Sequence, residues 1–578
     1  MQRVRSATDE GASGPPVARP NAGRPERSRS NALWLVLGLI GGALLALAVV
    51  LAIGSALKRG GVAAAAAPRF VEESTAAGID HVYGGEFPYF VGGGVATFDC
   101  DGDRKPDLYF AGGANPAALY RNESPIRGAL RFAKVSDRTT DLTRVLGAYP
   151  IDIDGDGLTD LVVLRNGENV LLRGRGGCRF ERANERWGYQ GGDALTAAFS
   201  ATWEGSAALP TLAFGNYLDL AKADRSECAD SELVRPGPGQ RAYAEPIPLA
   251  PGYCTLSVLF SDWDRSGRAD LRMANDRHYY LDGEEQLWRI TPGETPRLYT
   301  RAEGWQRLVI WGMGIANYDV TGDGLPEIYL TSQADNKLQT LANATGRPTY
   351  RDIAIDRGVT ATRPYTGGDP LPSTAWHPEF QDVNDDGFVD LFVSKGNVEA
   401  QQDFASRDPS DLLIGQADGT FVEEGLAAGI ASFVRGRGAA VVDLNLDGML
   451  DIVQVNRRVN VSLFRNVGSG TAAEPQPMGN WVAVRPEQPG PNRDAIGSWI
   501  QVRFGDRTAE RELTIGGGHA SGELGWVHVG LGDADAAEVR IRWPDGEVGP
   551  WQEVAANGFV TIPRAGEPTA WTPAAPTP

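Results

Sequence analysis

Apolar and polar residues alternate along this chain in short bursts. "DLYF", "DLVVLR", "DLRM", "EIYLT", "DLFV" and "DIVQV" are each a few residues long, and each gives way within a few positions to Gly, Asn or Ser. Runs this short, rich in β-branched and aromatic side chains, predict strands and not amphipathic helices. The one long apolar run is different. Ala32 to Leu57, "ALWLVLGLIGGALLALAVVLAIGSAL", carries no charge. As a helix it would be roughly 39 Å long, enough to cross a bilayer core of about 30 Å with some tilt.

The strands come with a fixed preamble, Asp-x-Asp/Asn-x-Asp-Gly-x-x-Asp, followed at once by Leu or Ile. It occurs at Asp99, Asp101, Asp103 and Asp107, and again at Asp152, Asp154, Asp156 and Asp160. Modified copies follow at Asp262, Asp264, Ser266 and Asp270, and at Asp319, Thr321, Asp323 and Glu327. The last two are Asp382, Asn384, Asp386 and Asp390, then Asp443, Asn445, Asp447 and Asp451. A worn copy without most of its acids starts at Trp203, "WEGSAALPTLAF". The copies lie about 50–63 residues apart, the period of a propeller or solenoid. Each has an upstream element like "RFVEESTAAGI" and a downstream strand like "ALYRN". The unit therefore reads as four strands, one propeller blade.

The spacing carries chemistry. Positions one, three and five of a tight loop converge their oxygens, and a backbone carbonyl near seven and the acid at nine can complete an all-oxygen cage. Flexible, oxygen-only coordination favours Ca²⁺ over Mg²⁺. An EF-hand would close with Glu at position twelve; here that position is Phe110, Val163, Met273, Leu330, Val393 or Gln454. The expectation is Ca²⁺ at up to about six sites, weaker where Ser266, Thr321, Asn384 or Asn445 replaces an acid. A formal charge of −19 fits: much of it is loop carboxylate. The same charge argues against a nucleic-acid partner, which needs clustered Lys and Arg. Five scattered histidines, with no HExxH pair, argue against a zinc hydrolase.

Arginines crowd the segment before Ala32, from Arg3 to Arg29, while only Lys58 and Arg59 follow the apolar run closely. The positive-inside rule then leaves the N-terminus in the cytoplasm and the bulk of the chain periplasmic or extracellular. The expected organisation is a disordered segment 1–31, a single-pass anchor 32–57, a linker 58–69, a seven-bladed β-propeller 70–475, a small β-rich domain 476–565 and a loose tail 566–578. The rival for 32–57 is a cleaved signal peptide, since "VAAAAAP" offers small residues. Gly38 and Gly42 form a GxxxG that could pack two helices. Cys228 and Cys254 flank a Pro/Gly-rich stretch and either clamp it or stay unpaired; Cys100 reads as a tolerated outward residue of its loop. Beyond Asn480, "WIQVRF", "ERELTIG", "WVHVGLG" and "EVRIRW" alternate like strands. Trp499, Trp526 and Trp543 are expected in that core, and His519 and His528 as polar loop and strand residues.

The acidic loops with "FVEESTAAGI" before and "ALYRN" after resemble FG-GAP or VCBS repeats, the blades of integrin-α-type propellers. "NRDAIGSWIQVRF", "HASGELGWVHVGLGDA" and "VRIRWPDGEV" resemble the ASPIC/UnbV domain. This order of domains is similar to that of the cartilage acidic protein family. The resemblance implies an extracytoplasmic calcium-binding module linked to adhesion, with no established catalysis, and the worn copy at Trp203 departs from the pattern.

The expected function is therefore a non-catalytic binding or adhesion module for a protein or glycan, tied to the membrane. The stretches 218–256 and 360–380 are candidates for its binding face. Two alternatives stand beside it: a structural subunit of a membrane complex, and a polysaccharide-acting enzyme using Asp276, Arg277 and His278. No nucleophile elbow or triad order supports the last.

Overall fold

The computed structural model describes residues 65–220, 227–276, 283–342 and 346–573. The apolar run 32–57, with its GxxxG, lies outside the described residues. Among the described residues no helix is long and apolar enough to cross a membrane.

The chain from Ala65 onward forms one compact unit and is all-β. Seven sheets follow one another in sequence, and in the first six four antiparallel strands pair in chain order. Their inner strands are Val95–Phe98, Val145–Ile151, Leu195–Thr202, Thr255–Ser261, Gly314–Tyr318, Ala375–Gln381 and Gly436–Val442. Each packs beside the next, and the seventh packs against the first, so the sheets form a propeller-like ring. Both faces of these strands are covered by neighbouring sheets, so most read as continuously buried. The ring is closed by its own N-terminus: Phe70–Glu72 is the outer strand of the seventh sheet, with Phe70 paired to Asn466 and Glu72 to Phe464. Ala65 and Ala67, at the end of the stretch read as a linker, already pack on the ring.

A second pair of four-stranded sheets follows. Asn480–Glu487 pairs with Val527–Gly532 and, in parallel, with Gly558–Pro563; Trp499–Phe504 lies between Arg507–Glu512 and Ala536–Arg542. Trp499 and Trp543 are buried, as expected, and Trp526 is half-buried among Phe559 and Trp571.

Four expectations change. Cys100 is not a tolerated outward residue: it is bonded to Cys178, which ties the first acidic loop to the second sheet. The tail is not loose from 566: Thr569–Trp571 pairs with Gly558–Pro563, because Trp571 finds Phe559 and Trp526 to bury against. The stretch 218–256 is not a free insert. Ser231–Val234 and Ile247–Leu249 are the outer strands of the third sheet, and the Cys228–Cys254 disulfide joins the chain just before the first of them to the chain just after the second. Finally, His519 is a loop residue as expected but a wholly buried one, because the segment that carries it leaves the C-terminal domain and fills the middle of the ring.

That segment, "TIGGGHASGEL", reaches every sheet. Ile515 bridges Ala201, Gly516 bridges Leu259, Gly518 bridges Ile315 and Ser521 bridges Ala148. Gly522–Glu523 adds a parallel strand to Val95–Phe98. The backbone N–H of His519 donates to His377 Nδ1 at 3.0 Å, and Ser521 Oγ accepts from Val95 N at 3.1 Å beside Gly438. The His519 ring, wholly buried against Trp376, accepts at Nε2 from Gly92 N at 3.1 Å and donates from Nδ1 to the Met313 carbonyl at 3.0 Å. The run of glycines is a steric demand. A Cβ on Gly516 would press on Ser200, and Gly516 has φ 129°, a backbone that L side chains rarely adopt. From the ring side, a Cβ on Gly94 would overlap the Ala520 carbonyl.

Gly94→Ala is therefore expected to unseat this segment at a cost of about 1–3 kcal/mol, the usual range for overpacking. Thermal denaturation checks it, and an unchanged melting temperature would contradict a seated segment.

Candidate metal centres

Each acidic loop is the turn between the inner strand of a sheet and its second strand. The register is the same six times. The residue before position one pairs with position nine: Phe98 with Asp107, Ile151 with Asp160, Ser261 with Asp270, Tyr318 with Glu327, Gln381 with Asp390 and Val442 with Asp451. Position one thus leaves the first strand and position nine opens the second, which brings the two acids together at one end of the ring.

The acid at nine has a structural task that the spacing alone did not reveal. Asp107 accepts from the backbone N–H of Cys100 and of Asn122, both at 2.7 Å. Asp160 accepts from Ile153 and Gly174, and Asp390 from Val383 and Gly415, all at 2.8 Å. Asp451 accepts from Leu444 and Asn466. This side chain joins loop, second strand and third strand. Position one folds back on the loop: Asp152, Asp382 and Asp443 accept from the glycine N–H five residues on, at 2.7–2.8 Å. Position five caps the turn, as Asp386 does for Phe388 N and Asp447 for Met449 N.

The free oxygens converge. Ligand atoms of Asp99, Asp101 and Asp107 lie within 4.8 Å of one another, as do those of Asp152, Asp154 and Asp160. Asp103 turns outward to Lys105 Nζ at 2.9 Å. In the second loop Arg173 reaches Asp154 at 2.7 Å and also contacts Asp156, and Asp154 Oδ1 is left buried without a hydrogen bond. In the loop at Asp262 a guanidinium already sits on the acid. Arg268 grips Asp270 with two bonds of 3.0 Å, and Tyr299 and Trp263 donate to the same carboxylate; Ser266 and Asp264 form only a turn contact. At Asp319, Thr321 donates to Glu327 from both backbone and hydroxyl, and Asp323 caps Leu325. In the last two loops Asn384 donates to Asp386 and Asn445 to Asp447, each at 3.0 Å. Asn445 Oδ1 remains wholly buried with no hydrogen-bond partner.

Burial without a countercharge pushes these acids toward their neutral forms. Desolvation raises Asp107, Asp160, Asp382, Asp390, Asp443 and Asp451 well above the usual carboxylate range. It raises Asp152 and Glu327 to about 7. Oxygen-only donors, convergent carboxylates and unpartnered buried acceptors suit a hard divalent cation, and Ca²⁺ fits this donor set. The loop at Asp262 fits it least, since Arg268 supplies the charge. The worn third loop has Thr211 at the ninth position, bonded to Glu204.

The loops at Asp99 and Asp152 open into a cleft of about 720 Å³ beside the C-terminal domain, lined by Arg104, Arg179, Arg485 and Arg493. Of the residues weighed for catalysis, Asp276 accepts a hydrogen bond of 2.8 Å from Tyr217, and Arg277 and His278 lie outside the described residues. Arg173, Arg268 and the central position of the 513–525 segment were not singled out from the sequence. An arginine at position seven of the fourth loop was the only local signal for any of them.

Residues 99–163 match the FG-GAP-like repeat family and residues 488–569 match the ASPIC and UnbV family. The chain thus carries both modules, in the order seen in sequence. It is 28% identical over 198 residues to cartilage acidic protein 1 of Mus musculus, a match covering 30% of this chain and 27% of that protein. Among solved structures it is similar to BBS1N in complex with ARL6DN, with a TM-score of 0.40 and 11% identity, over 71% of this chain and all of that one. It is also similar to AofleA from Arthrobotrys oligospora, with a TM-score of 0.32 and 11% identity, over 58% of this chain and 85% of that one.

The raised carboxyls set a pH dependence. Ordinary values are 3.8 for Asp and 4.5 for Glu, against about 7 for Asp152 and Glu327 in the folded, metal-free chain. The folded state keeps protons that the unfolded chain has released, so stability falls as pH rises from about 4 to about 7. In chelator the melting temperature is expected to be higher at about pH 5 than at about pH 7.5. Saturating Ca²⁺, which favours the charged carboxylates, is expected to flatten or reverse that slope. Identical slopes with and without Ca²⁺ would contradict cation binding here.

Proposed function

We propose that this chain is a membrane-anchored, extracytoplasmic, calcium-binding seven-bladed propeller that acts as a non-catalytic binding module for a protein or glycan. The observation that carries this reading is the sixfold repetition of one acidic turn in one register, with a buried oxygen that no protein donor satisfies in the loops at Asp152 and Asp443. Two disulfides support an oxidising compartment, and the uncharged run 32–57 supports the anchor. Calcium, in this reading, stiffens the ring and does not itself turn over a substrate.

The binding face is proposed at the end of the ring opposite the acidic loops. The middle of the ring is filled by the 513–525 segment, which leaves the loops at the two ends to recognise partners. The segment 360–374 connects the outer strand of the fifth sheet to the inner strand of the sixth, and so lies at the end away from the acids. It places Gly367 against Phe433, over which Arg407 stacks at 3.9 Å. Phe433 is 40% exposed and Leu371 36%, a small apolar and cationic patch on an otherwise acidic molecule.

The full chain, solubilised in detergent, is to be screened against a glycan panel and against envelope proteins, with Ca²⁺ and with chelator. A ligand is expected whose binding needs Ca²⁺ and weakens at least about tenfold in Phe433→Ala/Arg407→Ala, as for a central anchor pair, with no change in melting temperature. Binding that the double substitution leaves intact would show this face to be wrong. Substrate turnover by the purified chain would overturn the non-catalytic reading.

A further inference from the structure

The six loops differ sharply in what covers them. Asp101 to Asp103 of the first loop are exposed, and so are Asp156 to Leu158 of the second and Gly322 and Asp323 of the fifth. The loop from Asp443 to Asp451 is buried from end to end: Asp443 is 7% exposed, Asn445 0%, Asp447 8% and Asp451 1%. In the loop at Asp382, Asp382, Asn384 and Asp390 are buried and the tip is half-buried.

Much of the cover is the C-terminal domain. Trp481 lies so close over Gly448 that a Cβ there would fall inside the indole. Trp481 stacks on His528 with ring centroids 5.6 Å apart, and His528 Nε2 sits 2.6 Å from Asp385 Oδ1 in the neighbouring loop. Gly532 N donates to the Asp385 carbonyl at 2.9 Å, and Gly530 leaves just enough room for the Asp382 carboxylate. The first sheet closes the remaining side: Arg127 N donates to the Asn445 carbonyl, and Asn445 Nδ2 donates to the Gly128 carbonyl, both at 2.8 Å.

Inside this enclosure three carboxylates share one loop with Asn445 Oδ1, the buried acceptor without a partner. No arginine occupies the loop as Arg268 does at Asp270. Arg465, whose charge reaches Asp447 and Asp451, is itself held by Glu73 through two bonds of 2.9 Å. A neutral donor would satisfy the amide oxygen alone; a divalent cation satisfies it and the carboxylates together.

We infer that the loop at Asp443, with its neighbour at Asp382, holds a divalent cation sealed beneath the C-terminal domain, making that metal part of the joint between ring and domain. The exposed loops then hold the exchangeable ions. The inference rests on the calcium reading proposed above and divides its sites into two classes. The coupling is reciprocal: whatever the cation adds to docking of the domain, docking adds to affinity for the cation.

The test uses the full chain loaded with Ca²⁺, freed of excess metal, and mixed rapidly with a fluorescent chelator. Release is expected in two phases, the slow one at least about tenfold slower because it awaits local opening of the domain contact. Asp447→Asn is expected to remove the slow phase and keep the fast one. Trp481→Ala is expected to accelerate the slow phase without reducing its amplitude. Hydrogen exchange in residues 443–451 and 527–532 of the unaltered chain is expected to rise only as the slow phase completes, which keeps the test decisive if a variant does not fold. Calcium leaving in one fast phase, or a slow phase that survives Asp447→Asn, would overturn the sealed joint and leave the calcium reading standing. A chain that binds no Ca²⁺ would overturn both.

Discussion

The structure depends on carboxylates buried at the starts of strands. In the turns that end at Asp107, Asp160, Asp390 and Asp451 the ninth residue is held by two backbone donors and is buried, where desolvation opposes its charge. The hydrogen bonds need the carboxylate as acceptor, while burial favours the acid. A nearby positive charge resolves the conflict. At Asp270 the chain brings its own, the guanidinium of Arg268. In the loop at Asp443 no guanidinium is bonded to the carboxylates, the nearby Arg465 being held by Glu73, and the loop is closed over. Under the calcium reading proposed above, a metal ion would take in the loop at Asp443 the place that Arg268 takes at Asp270.

A second constraint acts at the centre. A ring of seven sheets leaves a core lined by inner strands whose edges would otherwise face a channel. The "TIGGGHASGEL" segment fills it, bonding to the inner strands by backbone. Between Ile515 and Gly522 the fit admits little side chain, hence Gly516, Gly517, Gly518, Ala520 and Ser521, with His519 as the one large group of that stretch, placed against Trp376. Ring and C-terminal domain are therefore joined twice, through this segment and through the acidic loops under Trp481 and His528.

The repeating parts were legible in the sequence. The motif fixed the start of each second strand to the residue, because position nine is both the last acid and the first ladder pair. The C-terminal strands showed as plain alternation. What escaped was non-local. Cys100 gave no sign of Cys178, 78 residues away. The outer strands of the third sheet hid in a Pro/Gly-rich stretch, since edge strands tolerate proline. The central position of the "TIGGGHASGEL" segment did not show in the sequence, because glycines required by close packing and glycines required by turns are written alike. The difference between an open acidic loop and a sealed one depends on Trp481, far away in sequence, which no spacing records.

The most direct measurement is a crystal structure grown with Ca²⁺ and recorded where its anomalous signal separates it from water. The account predicts peaks within the loops at Asp99, Asp152, Asp319, Asp382 and Asp443, with the ion at Asp443 contacting Asn445 Oδ1, and none beside Arg268. Empty loops in saturating Ca²⁺, or a water in place of the ion at Asp443, would contradict it.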